Sequence, residues 1–164
     1  MSYQEWGYIG YGIDIDELKE KHIDCKKIKN LFLNNKYDIN KVFGLNDEDI
    51  QNICKAKSTK EILELEVLSE YESDDYWWYN YNPLAQIVAL VLNQKNYGFE
   101  AAYKDQSLQY IYLPACMPWE MCSLSNLTKK EVDTFVNEAL KEIYKEKYCD
   151  KIPQMDYVNC VSGG

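Results

Sequence analysis

The sequence predicts an α+β domain, a small and mostly antiparallel sheet of three or four strands with helices packed on it. Three observations predict it. A glycine-rich stretch near the N-terminus alternates apolar with small or polar residues at a period of two. Two short β-type runs around residue 100 are separated by three turn-forming residues. The segments between and after them carry apolar residues at helical spacing. The order is therefore strand, helices, hairpin, helix, strand, and a chain so ordered buries its apolar faces by laying helices on a sheet.

Residues 3 to 15 set Ile9, Tyr11, Ile13 and Ile15 against Gly10, Gly12 and Asp14, a strand that is bulged or closely approached at its glycines. Asp14 and Glu17 have capping-box spacing, so a helix is expected from there to about residue 34, with Leu18, Cys25, Ile28, Leu31 and Phe32 inward and Asn34-Asn35 as its stop. A shorter helix runs from Asn46 or Asp47 to Lys57 and turns Ile50, Ile53 and Cys54 inward. Ser58 and Glu61 form another capping-box signature, yet Leu63, Leu65 and Val67 alternate with Glu64 and Glu66 as in a strand. Residues 58–72 therefore read either way, and the cap tips the balance to helix.

Asn82-Pro83 places a capping side chain before a proline at the first helical position. Leu84, Ile87, Val88 and Val91 form the inner face, widened by Leu90 and Leu92, so this helix is expected at the centre of the core, with Gly98 as its left-handed cap. Phe99 to Lys104 and Leu108 to Leu113 make a hairpin around Asp105-Gln106-Ser107. Pro114 and Pro118 break the next stretch into an irregular loop holding Trp119. Thr128 to Glu131 then caps an amphipathic helix through Val132, Phe135, Val136, Ala139, Leu140, Ile143 and Tyr144, and residues 154 to 161 form a last strand.

The 164 residues fit a single domain, 1–164, with 46% apolar and 27% charged residues as in a globular chain. No apolar run approaches the roughly 20 residues that span a bilayer. The start, MSYQEWGYIGYGID, lacks a basic region followed by an apolar stretch, so a cytoplasmic location is expected. The six cysteines, at 25, 54, 116, 122, 149 and 160, are then expected to be reduced thiols. There is no CxxC pair and a single histidine, which argues against zinc. All 18 basic residues are lysine, so no guanidinium fork is available to clamp a phosphate in two-point fashion.

The net charge of −9 is unevenly placed. Between Lys60 and Lys95 there is no basic residue, and that gap holds Glu61, Glu64, Glu66, Glu70, Glu72, Asp74 and Asp75. The other 20 acids are nearly balanced by 18 lysines, so the acidity is local. Such a field repels nucleic-acid phosphates and attracts lysine- and arginine-rich surfaces of other proteins. It runs into Tyr76-Trp77-Trp78-Tyr79-Asn80-Tyr81, where five of six residues are aromatic and cannot all face one core. The candidate partner-binding residues are the seven acids from Glu61 to Asp75 together with Tyr76, Trp77, Trp78 and Tyr79.

No catalytic constellation emerges. His22 is the one imidazole and has no sequence-visible partner; a helix-surface or core-rim position explains it. Asp14 with Asp16, and Asp47 with Asp49, fall outside a calcium-loop pattern and read as helix caps. Cys116 and Cys122 sit in the proline-broken loop with no lysine nearer than Lys104 and Lys129 to depress a thiol pKa. Gly7, Gly10 and Gly12 are in the wrong order for a dinucleotide loop. No cofactor, metal or catalytic residue is expected.

The lysine, asparagine and tyrosine bias, the missing arginine, and the segments Trp6-Gly7-Tyr8-Ile9-Gly10-Tyr11-Gly12 and Leu113-Pro114-Ala115-Cys116-Met117-Pro118-Trp119-Glu120 resemble small orphan proteins of phages and mobile elements in low-GC Gram-positive bacteria. That class includes anti-CRISPR inhibitors, several of which block a basic nucleic-acid cleft with carboxylates. The resemblance implies a non-enzymatic inhibitor in the bacterial cytoplasm. Its partner would be a protein with a lysine- and arginine-rich surface, such as a CRISPR nuclease, with no direct nucleic-acid or membrane contact. The alternatives are an immunity protein that neutralises a toxin and an enzyme with an unrecognised site.

Overall fold

The structure is a computed structural model that describes residues 5–69, 82–104, 107–115 and 129–163. Four strands, β1 (Glu5–Asp14), β2 (Glu100–Lys104), β3 (Ser107–Ala115) and β4 (Asp156–Gly163), form one sheet in the order β2-β3-β1-β4. Every pair is antiparallel. The hairpin places β3 on one side of β1, and the C-terminal strand takes the other side, so the first strand of the chain lies inside the sheet. The end strands β2 and β4 also approach within 8 Å between Cα atoms, so the sheet curls on itself.

The period of two along β1 decides what each face does. Tyr11 lies opposite Leu113 and Ile13 opposite Ile111, and all four side chains are buried in the main core. Gly10 and Gly12 point to the other face, where the Tyr112 side chain crosses β1 and packs with Tyr110 and Val158. A Cβ at Gly10 would stand 2.4 Å from the Tyr112 ring. The close approach expected at these glycines is thus made by β3: by the Tyr112 side chain at Gly10, and by the Ile111 carbonyl and Tyr112 at Gly12.

The helices cover the core face. They are α1 (Cys25–Leu33), α2 (Ile39–Val42), α3 (Asp47–Lys55), α4 (Thr59–Glu64), α5 (Glu66–Ser69), α6 (Pro83–Leu92) and α7 (Lys129–Leu140). Local capping explains several starts. The Asn46 side chain accepts from Asp49 N–H (2.9 Å) while the Asp49 carboxylate accepts from Asn46 N–H (3.0 Å). The Asn82 side chain accepts from Ala85 N–H at 3.1 Å, with Pro83 at the first helical position. As expected, α6 is central: Ile87, Val88, Val91 and Leu92 are fully buried.

Pro114, expected to break the chain into a loop, lies inside β3 opposite Gly10, beyond the end of the β2 pairing at Tyr112. Three further expectations are corrected. The first helix begins at Cys25, where the Asp24 carboxylate accepts from Lys27 N–H (3.0 Å); Asp14 caps a short 3-10 turn, Ile15–Glu17. Leu18 and Ile23 are instead buried in extended backbone, and Ile23 pairs with Tyr144, a tertiary bond that outweighs a local cap. The second concerns the end of α6: it closes through the 3-10 turn Asn93–Lys95 onto left-handed Asn96, and Gly98, at φ 89°, lies two residues further on in the stretch before β2. The third is α7, which stops at Leu140 so that Tyr144 can reach Ile23.

Residues 35–38 gather three left-handed residues in one short run. Asn35, Tyr37 and Asp38 all have left-handed φ (45°, 57° and 55°), at a cost of roughly 1 kcal/mol each for side-chain-bearing residues. Glu142 offsets it, accepting from the Tyr37 hydroxyl (2.6 Å) and the Lys36 ammonium (2.9 Å). Among the described residues no helix is long and apolar enough to cross a membrane.

Candidate functional site

Of the candidate acids, the structure describes Glu61 and Glu64 on α4 and Glu66 on α5. The Ser58 hydroxyl accepts from Glu61 N–H (3.1 Å), and the Glu61 carboxylate reaches back to Lys57 N–H (2.7 Å), which starts α4. The helix breaks at Leu65, whose backbone is extended (ψ 133°), and α5 begins one residue later. The break explains the strand-like alternation. It resets the helical phase, so Ile62 and Leu68 are both fully buried while Glu61, Glu64 and Glu66 are exposed. Over residues 59–69 the helical reading therefore holds, as two short helices, and residues 70–72 lie outside the described residues.

Two adjoining grooves separate these helices from α3. One, of about 360 Å³, is bounded by Asp49, Asn52, Leu65, Glu66 and Val67. The other, of about 410 Å³, is bounded by Asn52, Lys55, Ala56, Glu61, Glu64 and Leu65. Asn52 and Leu65 are common to both, so the grooves form one continuous edge. The structure thus brings Glu61, Glu64 and Glu66 together with Asp49, which the sequence marked as a helix cap alone. Among the described residues Glu64 is paired only with Lys60, at 3.9 Å with both side chains about two-thirds exposed, and such a pair neutralises little. Glu66 has no ion pair among the described residues. The remaining candidates, Glu70, Glu72, Asp74, Asp75, Tyr76, Trp77, Trp78 and Tyr79, lie outside the described residues.

A second recess, of about 490 Å³, lies between α7 and the extended segment 153–155 that leads into β4. Lys129 and Asp133, one helical turn apart, and Asn137 a further turn on, line one wall; Pro153, Gln154 and Met155 line the other. The buried Tyr11 hydroxyl of β1 donates to the Asp133 carboxylate, and the Lys129 ammonium stands 5.5 Å from the Tyr11 ring centre and 5.8 Å from that of Tyr157. Burial first, and the Asp133 bond second, push the Tyr11 phenol well above its ordinary value near 10. It stays protonated and serves as a fixed donor, not as a base or nucleophile. Tyr11→Phe is expected to cost about 2 kcal/mol in urea unfolding, as for a hydrogen bond to a charged group. A change below about 0.5 kcal/mol would show the bond to be dispensable. Sequence reading missed this grouping because Tyr11 and Asp133 are 122 positions apart.

His22 lies in a 3-10 turn, Glu20–His22, and not on a helix. Its ring packs on Tyr148 at 4.6 Å between centres, and its Nδ1 has no hydrogen-bond partner among the described residues. It is a half-buried rim histidine. Cys25, Cys54 and Cys149 are free thiols, half-buried, while Cys116 and Cys122 lie outside the described residues. Among the described residues no group of three or more histidine, cysteine or acidic side chains is placed to hold a metal ion. No protein-family model, curated protein or solved structure matches the chain.

Proposed function

We propose that this chain is a non-enzymatic protein inhibitor, acting in a bacterial cytoplasm, that docks on the basic nucleic-acid-binding surface of a host defence nuclease of the CRISPR type. The observation that carries this reading is the grouping of Glu61, Glu64 and Glu66 with Asp49 along two adjoining grooves of one helical edge. Carboxylates spaced along an edge offer lysine and arginine the charge-assisted acceptors that backbone phosphates would otherwise supply. Leu65, half-buried where the grooves meet, adds an apolar contact among them. In sequence the acidity continues through Glu70, Glu72, Asp74 and Asp75 to the aromatic run, whose side chains are of the type that anchors interfaces.

The test is capture from a bacterial lysate on the immobilised protein, at low and then at high salt, with and without a competing oligonucleotide. The reading expects a nucleic-acid-binding protein that elutes as salt rises and is displaced by the oligonucleotide, because both ligands use the same basic surface. Retention that ignores salt and oligonucleotide alike overturns it. Recovery of a toxin in place of a nuclease would make the chain an immunity protein.

A further inference from the structure

The chain's one histidine sits where two distant segments are pinned together. On one side is the turn Lys19–Asp24; on the other is the stretch Ile143–Lys151 that leaves α7. Asp24 N–H donates to the Ile143 carbonyl and Lys145 N–H to the His22 carbonyl, each at 2.8 Å, and Ile23 pairs with Tyr144 between them. The Lys27 ammonium of α1 donates to the Tyr144 carbonyl (2.6 Å) and the Lys141 carbonyl (3.0 Å) and is paired with Glu146 (2.9 Å). From α4, the buried Thr59 hydroxyl donates to the Ile23 carbonyl at 2.9 Å. Helices α1, α4 and α7 are thus joined through this one turn.

Two polar atoms inside the junction are orphaned. His22 Nδ1 and the Tyr144 hydroxyl are both buried, and neither has a hydrogen-bond partner among the described residues. Their rings lie 6.3 Å apart. Burial, and Glu17 after it, push the Tyr144 phenol up to about 12, so it stays neutral. With no acceptor bonded to Nδ1 among the described residues, the proton of the neutral imidazole belongs on Nε2. A neutral Nδ1 without a donor is a modest cost. A protonated Nδ1 would be a buried, charged N–H without an acceptor, which costs far more.

The surrounding charges add to that cost. Lys19 and Lys21 on the same turn and Lys151 across the junction oppose a positive ring, and Asp150 favours it. Lys147 lies over the Tyr148 ring at 5.1 Å, on the residue that packs against His22. Lys27 and Glu146 are engaged with each other. Burial first, then Lys21, Lys151 and Lys19, hold the imidazole below its ordinary value of 6.5.

We propose that His22 is an acid-operated latch: proton uptake at its buried Nδ1 opens the junction between the Lys19–Asp24 turn and the Ile143–Lys151 stretch, while Lys27 still holds α1 to the end of α7. One proton from solvent enters, and the two main-chain bonds at Asp24 and Lys145 open. The sign follows from the depressed pKa. The latch contributes fully above about pH 6.5, and its contribution is lost as pH falls through the lower value of the closed state.

A single imidazole gives one unambiguous NMR titration, and the Asp24 and Lys145 amides report opening by hydrogen exchange corrected for intrinsic rates. The imidazole is expected to titrate below 6.5. Protection of both amides is expected to fall from about pH 7.5 to about pH 5 by at most roughly 30-fold, the ceiling set by an open-state pKa near 6.5. His22→Phe keeps the ring against Tyr148 and takes no proton, so its two amides should hold steady; His22→Gln serves if the phenylalanine disturbs packing. Titration at or above 6.5 overturns the proposal. So does unchanged protection in the parent chain, or an equal loss in the substituted ones.

Discussion

Gly12→Ala is expected to be among the most damaging single substitutions in this chain, costing about 3 kcal/mol or more, at or beyond the upper end of ordinary overpacking. The φ angle is not the reason; the space is. A Cβ at position 12 would stand 2.2 Å from the Ile111 carbonyl oxygen and 2.6 Å from the Tyr112 Cα, both main-chain atoms of the paired strand. Neither can give way without parting β1 from β3, and β1 is the strand that holds β3 and β4 together. Gly10→Ala should cost less, because its nearest neighbours are atoms of the Tyr112 side chain, which can tilt. Urea midpoints of the two variants against the parent decide the matter. If Gly12→Ala unfolds within about 1 kcal/mol of the parent, or Gly10→Ala is the worse, the packing account of the glycines is wrong.

The second large effect is on binding. The triple substitution Glu61→Gln, Glu64→Lys, Glu66→Lys removes one charge of the groove edge and reverses two. Glutamine at 61 retains a side-chain oxygen for Lys57 N–H, so the start of α4 is preserved. Glu64 and Glu66 are exposed, so far-UV circular dichroism should not change. Close charge pairs across an interface contribute about 1.5 kcal/mol or more each, so losing two and opposing them should weaken a basic partner by about 100-fold or more at low salt. The remaining binding should vary less with salt than that of the parent chain. Full-strength binding by the triple variant would move the partner's contact away from α4 and α5.

How much of this was legible in the sequence depends on the distance over which each feature is decided. Asn46, Ser58 and Asn82 reach an amide three residues on, and each marked a helix start correctly. Asp14 shows the limit of the same rule. Its cap is real, but the turn it begins ends after Glu17, because Ile23 finds a better partner in Tyr144. The left-handed run at residues 35–38 was signalled locally only by the stop at Asn34-Asn35; left-handed Tyr37 was not, since Glu142 holds it from more than 100 positions away. The acidic edge was half legible. The charge run named Glu61, Glu64 and Glu66, but nothing local tied them to Asp49 across a groove.

The sequence by itself determined the α+β class, the alternation of β1, the hairpin, the central apolar helix and the placing of the charge. These rest on periodicity and capping, which are contacts between residues a few positions apart. The tertiary structure alone decided the strand order, the tyrosine that Gly10 and Gly12 admit, the Tyr11–Asp133 bond and the junction at His22. Each of these joins segments far apart in the chain. Their geometry is set by how apolar faces pack against one another, and a linear pattern does not carry that information.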